Sequence, residues 1–99
     1  MIDKSTAREL AKKEISKLTS NMRHKYELAI QDDITIERKF GWIFFYNTKS
    51  FLETQDTQYA LIGNAPIIVD RENASVHFTG TAKSIDEYIE EFQENRKIK

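Results

Sequence analysis

The sequence predicts an α+β domain, a two-layer arrangement in which an antiparallel sheet of about four to five strands is flanked by an N-terminal and a C-terminal helix. Three observations predict it. Apolar residues recur at helical spacing at both ends of the chain, alternating apolar residues fill the middle, and the aromatic run Phe40-Gly41-Trp42-Ile43-Phe44-Phe45-Tyr46 lies between them. Five of those seven residues are aromatic, and the run holds the chain's only tryptophan. β-branched and aromatic residues suit a pleated sheet, and alternation places Phe40, Trp42, Phe44 and Tyr46 on one face with Ile43 and Phe45 on the other. A strand apolar on both faces belongs in the middle of its sheet.

The first helix is expected over residues 3 to 19, where Ala7, Leu10, Ala11, Ile15 and Leu18 form one apolar stripe. Asp3 is a candidate N-cap, and Thr6 with Glu9 is an alternative capping box. The polar side is basic, with Lys4, Arg8, Lys12, Lys13 and Lys17 against Glu9 and Glu14. A solvated face accounts for it; a docking surface for an acidic partner is the sharper alternative.

Tyr26, Leu28 and Ile30 alternate with polar or small residues and read as a strand, and Asp32-Asp33 marks a turn. A second strand begins at Ile34. If it continues into the aromatic run, Ile34 and Ile36 share a face with Phe40 and Trp42, and Gly41 marks a bulge or a close backbone approach. Residues 47 to 58 read as a long connection in which Phe51 and Leu52 fold back over Ile43 and Phe45. Tyr59 to Ile62 is expected to be a strand, interrupted by Gly63-Asn64-Ala65-Pro66 and resumed at Ile67-Ile68-Val69. Pro66 lacks an N–H and fits a strand start or an edge. Residues 70 to 74 make a hairpin turn, and Ser75 to Thr79 the last strand, with Val76 and Phe78 inward and His77 outward. Ser84 and Glu87 form a capping box for the final helix, whose apolar stripe is Ile85, Tyr88, Ile89 and Phe92. Its other side is acidic, with Asp86, Glu87, Glu90, Glu91 and Glu94, and Arg96, Lys97 and Lys99 suit a helix C-terminus.

Composition narrows the function classes. Ninety-nine residues suffice for one core without staples, so one domain over 1–99 is expected. A net charge of -1 draws in neither nucleic acid nor an anionic membrane. No cysteine is present, which excludes disulfides, thiolate metal sites and a cysteine nucleophile. The N-terminus opens into a charged helix pattern without the apolar core of a signal peptide, and no run is long enough to span a membrane, so a cytoplasmic location is expected.

Catalytic patterns are missing. His24 and His77 are the only histidines, and neither has a ligand-type neighbour at helical spacing. A triad of His77, Asp70 and a serine lacks a Gly-x-Ser-x-Gly elbow, and the three dispersed glycines make no phosphate loop. Asn73-Ala74-Ser75 matches a glycosylation triplet, but without a secretion signal it reads as chance. The aromatic run has no interleaved lysine or arginine of the kind that accompanies base stacking. No enzyme activity, metal or cofactor is expected.

A resemblance takes the reading further. The aromatic run, the segment Tyr59-Ala60-Leu61-Ile62-Gly63-Asn64-Ala65-Pro66-Ile67-Ile68-Val69-Asp70, Gly80-Thr81-Ala82 and Ser84-Ile85-Asp86-Glu87-Tyr88-Ile89 together resemble the YrhB-like family, also catalogued as the immunity-protein-thirty-five group of bacterial polymorphic-toxin systems. The resemblance covers nearly the whole chain. Relatives tend to have Gly in the hairpin turn where this chain has Ala74, and Asn73 is expected to supply the left-handed residue instead. The resemblance implies a small α+β protein encoded beside a toxin, which it binds and neutralises without catalysis; a monomer or weak homodimer is expected. Trp42, Phe44, Tyr46, Gly63 and Pro66 are expected to be core and turn residues. Partner contact is assigned instead to the acidic stripe Glu87, Glu90, Glu91 and Glu94, and secondarily to Phe51 and Asp56 in the long connection. The alternatives are a small chaperone-like stress protein that binds exposed apolar segments around Ile43 and Phe45, and, less favoured, a small hydrolase or ligand-binding enzyme.

Overall fold

The computed structural model describes residues 1–20, 27–59 and 65–97. In chain order it contains α1 (Lys4–Ser20), β1 (Leu28–Ile30), a 3-10 turn at Asp32–Ile34, β2 (Ile36–Arg38), β3 (Gly41–Phe44), β4 (Tyr46–Thr48), α2 (Lys49–Thr54), a second 3-10 turn at Thr57–Tyr59, β5 (Ile67–Asp70), β6 (Val76–Phe78) and α3 (Ile85–Lys97). The architecture is the expected α+β class, an antiparallel sheet flanked by N- and C-terminal helices. Four strands pair in the order β2-β3-β5-β6, and β1 pairs with β4 alongside them.

The two terminal helices take opposite faces of the four-stranded sheet. Asp3 caps α1, its Oδ1 accepting the Thr6 N–H at 2.8 Å, and that bond holds the Asp3 carboxyl below its ordinary range. Ala7, Ala11 and Ile15 then lie buried against Trp42, Phe44, Tyr46, Ile67 and Val69. Two alanines in the contact stripe let the helix come close to a sheet face crowded with large rings. On the other face α3 buries Ile89, with Ile85 and Phe92 half-buried, against Phe40, Ile43 and Ile68. All four residues of β3 and all four of β5 are buried, which requires cover on both sides.

The aromatic run is not one strand. Lys39 and Phe40 form a turn, and β2 pairs with β3 in the register Ile36↔Ile43, Glu37↔Trp42, Arg38↔Gly41. A two-residue turn inverts parity across a hairpin, so Ile36 shares a face with Ile43 rather than with Trp42. Phe40 accordingly leaves the Trp42 face and packs on α3, its ring centroid 5.0 Å from that of Phe92. Ile34, expected in the same strand, sits in the 3-10 turn and is 43% exposed. Alternation survives over Trp42, Phe44 and Tyr46, although the chain passes from β3 to β4 at Phe45. Gly41 is the close approach: its φ is +151°, and a Cβ there would lie 1.9 Å from the Val69 carbonyl oxygen.

The connection over residues 47 to 58 is largely ordered. Thr48 ends β4 and caps α2, its Oγ1 accepting the Phe51 N–H at 3.1 Å, and Gln55 closes the helix in the left-handed region with φ 59°. α2 lies along β4 and β1 with Phe51 and Leu52 half-buried. Ile43 is therefore covered by α3, not by Phe51 and Leu52. Tyr59, expected to open a strand, ends the second 3-10 turn; residues 60–64, including Gly63, lie outside the described residues. Pro66 stands directly before β5, and its carbonyl accepts both the N–H and the hydroxyl of Thr79 at 2.9 Å each.

In the β5–β6 turn the left-handed residue is Ala74, with φ 60°, not Asn73. The Asn73 side chain is engaged instead as an acceptor, taking the Ser75 N–H at 2.9 Å and the Ser75 hydroxyl at 2.6 Å. Val76 faces inward on the α1 side, while Phe78 on the same face is 44% exposed. His77 faces the α3 side, its ring edge-on to Phe92 with centroids 5.2 Å apart.

Candidate functional site

The acidic stripe is built by helical pitch. Ile85, Ile89 and Phe92 hold α3 down on the sheet, so Glu87, Glu90, Glu91 and Glu94 project away from it and are exposed. Ser84 caps the helix, its Oγ accepting the Glu87 N–H at 3.3 Å. Tyr88 anchors the entry to the helix by accepting the Ala82 N–H on its hydroxyl at 3.2 Å. Lys83 pairs with Glu91, in the middle of the stripe, at 2.6 Å, and that partner raises the Lys83 pKa. The four carboxylates are exposed on the side of α3 turned away from the sheet.

The other two candidates lie elsewhere. Phe51 is half-buried in α2, and Asp56 follows it on an exposed turn, where its carboxylate accepts the backbone and side-chain N–H groups of Gln58 at 3.1 Å each. α2 belongs to the β1–β4 pair, whereas α3 rests on the four-stranded sheet. The stripe and the connection are thus two separate places, not one site.

Ser75 and His77 come together, with Ser75 Oγ 2.7 Å from His77 Nε2. The polarity is wrong for a nucleophile. The serine hydroxyl donates to Asn73 Oδ1 at 2.6 Å, which leaves it to accept from an Nε2–H rather than to be deprotonated by the ring. Asp70 is 3% exposed, and its carboxylate accepts the Glu72 N–H at 2.9 Å within the β5–β6 turn. His24 lies outside the described residues. Among the described residues no group of three or more His, Cys, Asp or Glu is arranged to hold a metal ion, and no helix is long and apolar enough to cross a membrane.

One interaction centre was not anticipated from the sequence. The Arg71 guanidinium lies 4.4 Å over the Trp42 ring, donates to the Glu37 carboxylate at 3.1 Å and to the Arg38 carbonyl at 3.0 Å, and its backbone N–H bonds the Phe40 carbonyl at 2.7 Å. Arg71, and secondarily the neighbouring Trp42 indole, hold the Glu37 carboxyl below its ordinary value; no hydrogen bond closes on Trp42 Nε1, which is buried without a partner. Arg71 thereby clasps the β2–β3 hairpin to the end of β5. The signal was faint: a lone arginine after a strand, with Glu37 distant in sequence and adjacent only through the register.

Two comparisons with known proteins bear on this arrangement. The chain is 40% identical over 62 residues to the uncharacterized protein YrhB of Escherichia coli strain K12, an alignment that covers 61% of this chain and 66% of YrhB, just under two thirds of that protein. No solved structure matches it. The family model for immunity protein 35 matches residues 5–94, from the first turn of α1 through most of α3. With nearly all of its helices and strands inside that match, the chain belongs to the immunity protein 35 family.

Proposed function

We propose that the protein is an immunity protein that binds a cognate toxin encoded beside it in the cytoplasm and blocks it by occupancy, without catalysis. The observation that carries this reading is the family match over residues 5–94. The exposed carboxylates of α3 support a contact surface of defined chemistry. Glu87, Glu90, Glu91 and Glu94 form one face at i, i+3, i+4 and i+7. Such a face complements a basic toxin surface, speeding encounter and fixing register. The inverted polarity of the Ser75–His77 pair favours binding over hydrolysis. The chaperone-like alternative loses its basis, because Ile43 is fully buried under α3 and Phe45 is half-buried beside it.

The test is co-expression with the product of the neighbouring gene. Growth arrest by that product should be relieved by this protein, and the two should co-purify. Replacing Glu87, Glu90, Glu91 and Glu94 together by Gln should leave folding nearly unchanged. It should slow association at least about tenfold at low salt, with the difference narrowing as salt is raised. Absence of both rescue and complex refutes the immunity reading. Association rates equal to wild type at every salt concentration remove α3 from the contact surface.

A further inference from the structure

The two edges of the four-stranded sheet are finished differently. At β2 the outward Glu37 carbonyl is capped, accepting from the Arg38 guanidinium at 2.9 Å. Glu37 and Arg38 also place charge on that edge, a common guard against edge-to-edge pairing. β6 carries no such guard. Ser75 to Thr79 reads Ser-Val-His-Phe-Thr, with no lysine, acidic residue or proline.

The register shows which groups are open. Asp70 N–H bonds the Ser75 carbonyl at 2.9 Å and Thr79 N–H bonds the Pro66 carbonyl at 2.9 Å. Ile68↔His77 lies midway between these two bonded pairs. Hydrogen-bonded and non-bonded pairs alternate in an antiparallel ladder, so Ser75, His77 and Thr79 face β5 while Val76 and Phe78 turn their N–H and C=O groups away from the sheet. No side chain among the described residues bonds those outward groups. Phe78, on the same edge, is 44% exposed beyond the reach of α1.

We infer that β6 pairs antiparallel with β6 of a second copy of this chain, about a two-fold axis through His77, joining two four-stranded sheets into one. The strand is its own complement. Val76 of one copy stands opposite Phe78 of the other, which closes four backbone hydrogen bonds and covers both exposed Phe78 rings with valine on the α1 side. Every side chain the pairing brings together on the strands is uncharged apart from the two histidines, so no fixed like-charge contact opposes it. A toxin strand could use the same edge, and the test separates the two occupants.

The experiment is sedimentation equilibrium on the full chain at neutral pH across a wide concentration range, with amide hydrogen exchange at low and high concentration. Wild type should dimerise reversibly, and protection of the Val76 and Phe78 amides should rise with concentration. Phe78→Lys should weaken the dimer at least about tenfold by removing both symmetric apolar pairs. Phe78→Pro should abolish it while retaining the far-UV spectrum and melting cooperativity, since the lost N–H faces outward and the β5–β6 bonds are made by its neighbours. A wild-type chain that is monomeric at all concentrations overturns the proposal. So does a dimer that survives both substitutions, or concentration-independent exchange at Val76 and Phe78. Monomeric wild type whose complex with the neighbouring gene's product is lost in Phe78→Lys assigns the edge to the toxin instead.

Discussion

Trp42→Ala probes the centre of the molecule. The ring is 1% exposed, lies in the α1-side core with Phe44, Tyr46, Ile67 and Val69, and carries the Arg71 guanidinium 4.4 Å from its centroid. Emptying a buried tryptophan site costs about 3–5 kcal/mol, lost transfer energy plus the cavity left behind. Loss of the cation–π contact adds roughly 0.5–1 kcal/mol. The indole N–H closes no hydrogen bond, so only its weaker attraction for the Glu37 carboxylate is lost with it. A decrease of about 5 kcal/mol is expected, against a total of roughly 5–15 kcal/mol for an ordinary domain. The substitution deletes the chain's only tryptophan, so urea unfolding must be followed by far-UV circular dichroism. Repeating it in an Arg71→Ala background isolates the stacking contribution, with a coupling near 0.5–1 kcal/mol expected. A loss below about 1.5 kcal/mol would refute the placement of Trp42 as the ring that α1 closes over.

Two further outcomes follow from the same geometry. Gly41→Ala drives a Cβ to 1.9 Å from the Val69 carbonyl oxygen, so β3 and β5 must separate; a loss of at least about 3 kcal/mol in denaturant unfolding is expected, and a neutral substitution would contradict the strand register. Arg8 pairs with Asp32 at 2.8 and 3.0 Å and lowers the Asp32 pKa from its ordinary 3.8, so the pair's contribution is complete above that value and disappears as pH falls through the lower folded one. The stability gap between wild type and Arg8→Gln should therefore be constant from neutral pH down to about 5 and close in stronger acid; a gap that widens on acidification would reverse the assignment.

The legibility of this sequence depended on whether each signal was local. Helical stripes and caps are short-range, and α1 and α3 were readable for that reason, as were the Asp3 and Ser84 caps. Faces were readable only within a strand. Trp42, Phe44 and Tyr46 kept their alternation, but Phe40 and Ile36 changed sides because periodicity contains no mark of a two-residue reversal, and Gly41, its one clue, was equally consistent with a bulge. Which helix covers Ile43 was not readable at all, since Phe51, Leu52 and the α3 stripe are all apolar candidates and only long-range topology chooses among them. The acidic stripe was legible as a pattern, because helix pitch fixes it. The partial neutralisation of Glu91 by Lys83 was not, as it spans the entry to α3. The Arg71 clasp joins residues 34 positions apart and leaves no periodic trace.

The placement of α3 on the face opposite α1 also has a bearing on the order of events during synthesis. Ile43 and Ile68 face α3, the last of the described elements in chain order. Translation delivers about 5–20 residues per second, so for a second or more the completed strands stand with one apolar side uncovered. During that interval the nascent sheet is a surface onto which other nascent chains can adsorb. Burial of that side waits on α3, whose Ile85, Ile89 and Phe92 supply the cover.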